Sequence, residues 1–264
     1  MRIGRVAFGD TIAYGVVSDD AGLTADGTWT GTISLVEGVP FGGSVSATGV
    51  VKRLSDVRLL APVMPSKIVA IGKNYVEHAA EMNGDVPSEP LMFLKPSSSI
   101  IGPGEAIRLP AASHIVHHEA ELAVVISRMC RDIAPEDALT AVLGYTCAND
   151  VSARDLQKAD GQWARAKGFD TFCPLGPWIE TEIDPAATSV RCCVNDTVTQ
   201  DGNTEDMVFD VQTIIAAISS VMTLIPGDVI LTGTPAGVGP IAAGDTVYVE
   251  CGGIGILPNP VVTR

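Results

Sequence analysis

Three acids stand where a strand and its neighbour could bring them together. In HHEAELAVVI, residues 117–126, Glu119 and Glu121 open an apolar run, and in an extended chain residues two apart point to the same face. Both carboxylates then aim one way while Ala120 and Leu122 aim the other. Asp150 ends the apolar run AVLGYTCAND, from which an adjacent strand could deliver it to the same point. Carboxylates this close repel and raise one another's pKa unless a cation neutralises them. Three carboxylate oxygens without a thiolate suit a hard dication, Mg²⁺ or Mn²⁺, with about three coordination positions left for water or substrate. The same spacing also fits two acids on a solvated strand end and an aspartate capping a turn. Zinc is a further reading, since His114, His117 and His118 crowd just upstream. Against it, no HExxH or paired Cys/His pattern is present, and adjacent His117 and His118 would face opposite ways on a strand.

Other residues could serve such a centre. His78 and Glu81, in NYVEHAAEM, are three apart, so on a helix they share a face and the carboxylate could hold the imidazole ready to take a proton from water. A solvated helix would carry the same pair. Arg154 and Gln157 follow Asp150 closely and are candidates for substrate binding or for orienting the acids. Lys167, in ARAKGFD, taken alone reads as a solvated lysine beside Arg165. LTGTPAGVG resembles a phosphate-cradling glycine loop but lacks the GK[ST] ending and a following helix, which argues against a nucleotide site. Gly233 and Gly237 instead read as allowing close backbone approach around Thr234.

The chain that must position these groups has 264 residues, 46% hydrophobic and 18% charged, with a formal net charge of −14. That balance indicates a folded protein with a sizeable core. It excludes nucleic acid or an anionic membrane as partner, because no Lys/Arg stripe is present to neutralise phosphates. No stretch approaches the ~18 apolar residues of a membrane span, and MRIGRVAFGD lacks the apolar run and cleavage site of a secretory signal. A cytoplasmic protein is expected. Six cysteines without a CxxC pair read as reduced, mostly buried thiols.

Short alternating runs such as IAYGVVSD, separated by turns, predict a small β-rich N-terminal domain over 1–62. Pro62 and Pro65 mark the junction to a larger domain, 63–264. There the strand-like runs KIVAIG, LMFLK, ELAVVIS, DVILTG and DTVYVE outnumber the helical ones. The clearest helix is residues 209–224, where Val211, Ile214, Ile215, Ile218, Val221 and Met222 keep helical spacing. Shorter helices are expected at 74–82 and from Pro135 to Leu143. The strands do not alternate regularly with helices, so the expected class is a β-dominated α/β fold and not a doubly wound sheet.

The blocks IGKNYVEHAAEM, EPLMFLKPSSSIIGPG, HHEAELAVVI, NDVSARDLQ, DGQWARAKGFDTFCPLGPWI and GDVILTGTPAGVG, in that order, strongly resemble the fumarylacetoacetate hydrolase family. The likeness runs from Lys67 to the C-terminus, and the N-terminal segment resembles the small β domain of the bacterial branch. The resemblance implies a mixed β-sandwich roll, a homodimer, and Mg²⁺ or Mn²⁺ on Glu119, Glu121 and Asp150. It implies catalytic roles for His78, Glu81 and Lys167, and contact of Thr234 with a substrate carboxylate. The implied substrate is a small anionic 2-oxo acid, cleaved between C3 and C4 as in oxaloacetate decarboxylases and acylpyruvate hydrolases. The alternatives are a hydroxyhepta-diene-dioate isomerase and a catalytically silent metal-binding scaffold. The turn-rich MNGDVPSEP, residues 82–90, reads as a lid over bound substrate.

Overall fold

A computed structural model describes residues 1–81 and 85–264. Strands dominate, as expected, and they form mixed sheets. A 12-stranded sheet runs in the order Ser46–Arg53, Thr32–Glu37, Thr11–Val17, Arg2–Phe8, Cys173–Glu180, Val142–Asn149, Ala120–Ile126, Val229–Leu231, Ile68–Gly72 and Leu91–Lys95, with two short strands off this path. Ile3 of the N-terminal segment pairs with Ile179, so the first strands extend the same sheet that carries the acids. A five-stranded sheet, including Ser189–Val194, Thr246–Cys251 and Gly255–Thr263, packs against it.

Ala120–Ile126 is buried along its whole length, and its two-residue period divides the core. Leu122, Val124 and Ile126 join the cluster containing Ile214, Ile218, Val249 and Leu257. Ala123 and Val125 join a second cluster with Ala70, Leu175, Ile179 and Leu231. Each fully buried Leu, Ile or Val contributes roughly 1.5–3 kcal/mol relative to exposure. Those contacts fix the register that aims Glu121.

The stretch 117–126 is not one strand. Val116–His118 belongs to a separate three-stranded sheet with Ser152–Ala153 and Gly239–Pro240. Glu119 sits in the break before Ala120–Ile126 enters the large sheet. The two acids therefore reach one point across a change of sheet, not along one straight face.

The helix expected over 209–224 spans Val211–Val221, and Asp210 caps it by accepting from the Thr213 N–H at 2.8 Å. Its inner face buries Val211, Ile214, Ile215 and Ile218. Val221, expected on that face, is 68% exposed, and Met222 has already left the helix in an extended conformation. The helix expected from Pro135 to Leu143 spans Pro135–Ala141 and is of the 3₁₀ type. The helix expected at 74–82 is Val76–Glu81. Of the expected lid, 82–84 lie outside the described residues, and 85–90 form no helix or strand. Among the described residues no helix is long and apolar enough to cross a membrane. All six cysteines are free, and all but Cys193 are buried.

Candidate active site

Asp150 follows the end of Val142–Asn149, which pairs antiparallel with Ala120–Ile126 through Ala120 opposite Asn149. The Asp150 N–H donates to the Glu119 carbonyl at 2.9 Å, and the Glu119 N–H donates to Asn149 Oδ1 at 2.9 Å. The pairing thus delivers all three acids to one place. A ligand oxygen from each of Glu119, Glu121 and Asp150 lies within 4.8 Å of the others, and none of the three residues is more than 3% exposed.

Three cations surround them. Lys167 donates to Glu119 Oε2 at 2.7 Å and also to Asp150 Oδ2. Lys95, 1% exposed, donates to the other oxygen of Asp150, and Arg154 forms an ion pair with Glu119. Burial alone would raise the Glu119 carboxyl, but Arg154 and Lys167 outweigh it and hold it well below 4.5. Lys167, which burial would lower, is raised by Asp150 and Glu119. Among the described residues the Glu121 carboxylate receives one hydrogen bond, from the Gly233 N–H at 2.7 Å. Burial, followed by the charges of Asp150 and Glu119, pushes it well above its ordinary 4.5. A buried carboxylate with so little compensation beside two others is an environment that a dication relieves. The donors are all oxygens, so the residues present fit Mg²⁺ or Mn²⁺. Neither His117 nor His118 belongs to the group of close ligand atoms, which among the described residues is Glu119, Glu121 and Asp150 alone. Burial holds both histidines below the usual value, and His118 Nδ1 is taken by Gln200 at 3.1 Å.

The acids form the floor of a cavity of about 580 Å³ that is also lined by His78, Arg154, Gln157, Lys167 and Thr234. Of the acids and the catalytic and substrate-binding candidates, all but Glu81 are in that lining, and Glu81 reaches it through His78, whose Nδ1 lies 3.2 Å from Glu81 Oε2. A carboxylate only accepts, so Nδ1 carries the hydrogen and Nε2 is left as the basic nitrogen. Glu81 is fixed in turn by the Gly237 N–H at 3.2 Å. Gly237 has φ +96°, and a Cβ there would meet the Thr199 carbonyl oxygen at 2.0 Å. Gly233 has φ +99° and would strike Asn74. The glycine loop therefore aims one amide at Glu121 and another at Glu81. The close backbone approach expected around Thr234 is instead made to Asn74 and Thr199, while the two amides meet carboxylates.

Two candidates are already engaged within the protein, Arg154 in the way expected of a residue that orients the acids. The Thr234 hydroxyl donates to the Ala120 carbonyl at 2.8 Å and accepts from Gln200 Nε2 at 2.7 Å, so its proton is engaged by backbone. Arg154 bonds Gln157 Oε1 at 3.0 Å as well as pairing with Glu119, while its buried Nε has no acceptor among the described residues. Sequence reasoning missed Lys95, although a lysine closing the apolar strand LMFLK was a readable signal of a buried cation. It also missed Gln200, which ties together His118, Ala120, Thr234 and Pro235. Lys73 and Lys158 in the cavity lining were missed too.

Residues 67–262 match the family described as fumarylacetoacetate (FAA) hydrolase C-terminal, and residues 1–62 match Rv2993c-like, N-terminal. Protein Rv2993c of Mycobacterium tuberculosis is 51% identical over 267 residues, covering 100% of this chain and 99% of that one. A mitochondrial oxaloacetate tautomerase of Xenopus laevis is 49% identical over 221 residues, 79% of this chain and 69% of that one. Among solved structures, the 2-hydroxyhepta-2,4-diene-1,7-dioate isomerase from Mycobacterium marinum has a TM-score of 0.90 at 50% identity, covering 100% of this chain and 99% of that one. The maleylpyruvate hydrolase from Sphingobium sp. SYK-6, in complex with manganese(II) and pyruvate, has a TM-score of 0.79 at 33% identity, with 100% and 99% covered.

Proposed function

The chain belongs to the fumarylacetoacetate hydrolase family, and from that premise we propose that it is a divalent-metal-dependent enzyme that cleaves the C3–C4 bond of small 2-oxo acids. The observation that carries this reading is the buried triad of Glu119, Glu121 and Asp150 on the floor of a cavity that also holds His78 and Lys167. Glu119, Glu121 and Asp150 would hold the dication, which would supply Lewis-acid stabilisation of the negative charge that builds on the substrate's keto oxygen. In an acylpyruvate, His78 Nε2 takes a proton from water as the water oxygen bonds to the distal carbonyl carbon. The C3–C4 electron pair leaves with pyruvate as its enolate, and a proton added at C3 gives pyruvate and a carboxylic acid. In oxaloacetate the departing group is carbon dioxide and no water adds. Lys167 keeps a positive charge beside the developing oxyanion. His78→Ala is expected to lower turnover by about 10²–10⁴-fold, with Mn²⁺ affinity by calorimetry unchanged.

The charge pattern favours a substrate with two carboxylates. Three acids already face Lys95, Lys167 and Arg154, so a dication leaves the buried site with two excess positive charges. Lys73 and Lys158 line the same cavity, and neither has an acidic partner within 4.0 Å among the described residues. Lys73→Met should raise KM for oxaloacetate or fumarylpyruvate several-fold and leave that for acetylpyruvate unchanged. An equal effect on both would remove Lys73 from the recognition of the remote carboxylate.

A second reading, proton transfer at C3 without bond cleavage, is favoured by the relatives named as tautomerase and isomerase. It shares the enolate and the base. A proton NMR time course in D₂O separates the two, using Mn²⁺-loaded protein with oxaloacetate, acetylpyruvate, fumarylpyruvate and a hydroxyhepta-diene-dioate. Pyruvate formed faster than with metal alone supports cleavage. Accelerated deuterium uptake at C3 or double-bond migration without pyruvate supports proton transfer. Neither change with any substrate would sink both readings and leave a silent metal-binding scaffold.

A further inference from the structure

Phe93 and Trp163 line two cavities at once. One is the site cavity; the other is an adjoining groove of about 580 Å³ whose further walls include Leu91, Leu94, Val221 and Met222. The two rings meet edge to face with centroids 5.1 Å apart. Lys167 Nζ lies 5.1 Å from the Phe93 centroid, and the Lys167 N–H donates to the Trp163 carbonyl at 2.9 Å. On the strand Leu91–Lys95, Phe93 shares a face with Lys95, the residue bound to Asp150. The aromatic pair is thus the partition between the acids and an apolar groove. The Trp163 ring is seated against Gly72, where a Cβ would come within 2.7 Å and 2.9 Å of its six-membered ring.

We propose that Trp163 is the specificity-determining residue that limits the length of the substrate's acyl end. With the ring in place the site accepts short chains; with the ring removed or displaced, the cavity continues into the groove and an unbranched alkyl tail occupies it. The groove suits such a tail because its walls are mostly apolar side chains and it adjoins the site across the Phe93–Trp163 wall. This inference rests on the reading of the site as one for 2-oxo acids.

The test is calorimetric binding of unbranched 2-oxo acids of increasing length, from 2-oxobutanoate to 2-oxodecanoate, to the Mn²⁺-loaded full chain. Wild type, Trp163→Ala, Trp163→Leu and Gly72→Ala are compared. For the wild type, affinity should stop rising once the chain meets the ring. For both Trp163 variants it should keep rising, by up to about fourfold per added methylene, and Gly72→Ala should give a smaller gain in the same direction. Trp163 is only half-buried, and three variants keep the result readable if one fails to fold. Variants that bind 2-oxobutanoate normally yet gain nothing from length would overturn the partition, as would a wild type that gains as they do. If no 2-oxo acid binds any of the four proteins at any length, the underlying reading of the site has failed and this inference falls with it.

Discussion

Glu121→Gln will abolish Mg²⁺- and Mn²⁺-dependent turnover while leaving the metal-free protein at least as stable as wild type. The two effects have opposite signs because Glu121 is the acid with the least support. Its carboxyl accepts one amide hydrogen bond from Gly233 and faces two other carboxylates, so an uncharged isostere removes repulsion along with the ligand. Metal affinity should fall by about 100-fold or more, beyond the usual cost of disturbing a ligand's hydrogen-bond partner. The pH dependence follows the same logic. Glu121 is raised in the fold by burial and then by Asp150 and Glu119. It therefore binds its proton more tightly folded than unfolded, and its contribution to stability is present at acid pH and lost as pH rises from 4.5 through the folded value. Glu119 is lowered by Arg154 and Lys167 against its burial, so its contribution is present above 4.5 and lost as pH falls through the folded value. Metal-free wild type should lose stability on the rising side of 4.5, Glu121→Gln should not, and Mn²⁺ should abolish the wild-type loss. Denaturant titrations across pH, with and without Mn²⁺, check all three. A Glu121→Gln protein that is destabilised without metal would refute the account of Glu121 as an uncompensated charge.

Lys167→Met is expected to do the reverse to the fold. Its ammonium is shared between Glu119 and Asp150, and all three residues are buried. Removing one partner of a buried ion pair leaves uncompensated charge and costs about 3–5 kcal/mol. Mn²⁺ should restore part of that loss, because a dication can take over the neutralising role the ammonium held. Turnover should fall by about 10²-fold or more and should not return with the metal, because the cation beside the oxyanion is gone. Thermal unfolding with and without Mn²⁺, together with steady-state kinetics, measures both halves. Full recovery of activity on metal loading would remove Lys167 from the chemistry and leave it a structural charge.

How far the site was legible depended on whether a residue's partner lay nearby in the chain. The pairing of His78 with Glu81 needs only helical spacing, and it is present at 3.2 Å. Glu119 and Glu121 were read by strand parity, and they do converge. The route differs, because the chain changes sheet at Glu119, and parity carries no information about such a break. Lys95 meets Asp150 across 55 positions of sequence, and Gln200 meets Thr234 across 34. No local pattern encodes those distances. Val221 satisfied helical periodicity yet faces solvent, because periodicity identifies a stripe without saying what covers it. The 3₁₀ form of Pro135–Ala141 was not legible because proline signals where a helix begins and not how tightly it winds.

Gly233 and Gly237 give the site a ruler. One amide of this loop grips Glu121 and the other grips Glu81, so the span from base to triad is set by a few peptide units and not by the packing of separate elements. A loop this short sets an upper bound on that span, and the close contacts of Gly233 with Asn74 and of Gly237 with Thr199 restrict its dihedrals further. Substitutions in the surrounding core can change volume and shape while this spacing stays as it is. The base and the triad are therefore constrained to vary together, and the freedom to accept new substrates is left to the cavity walls.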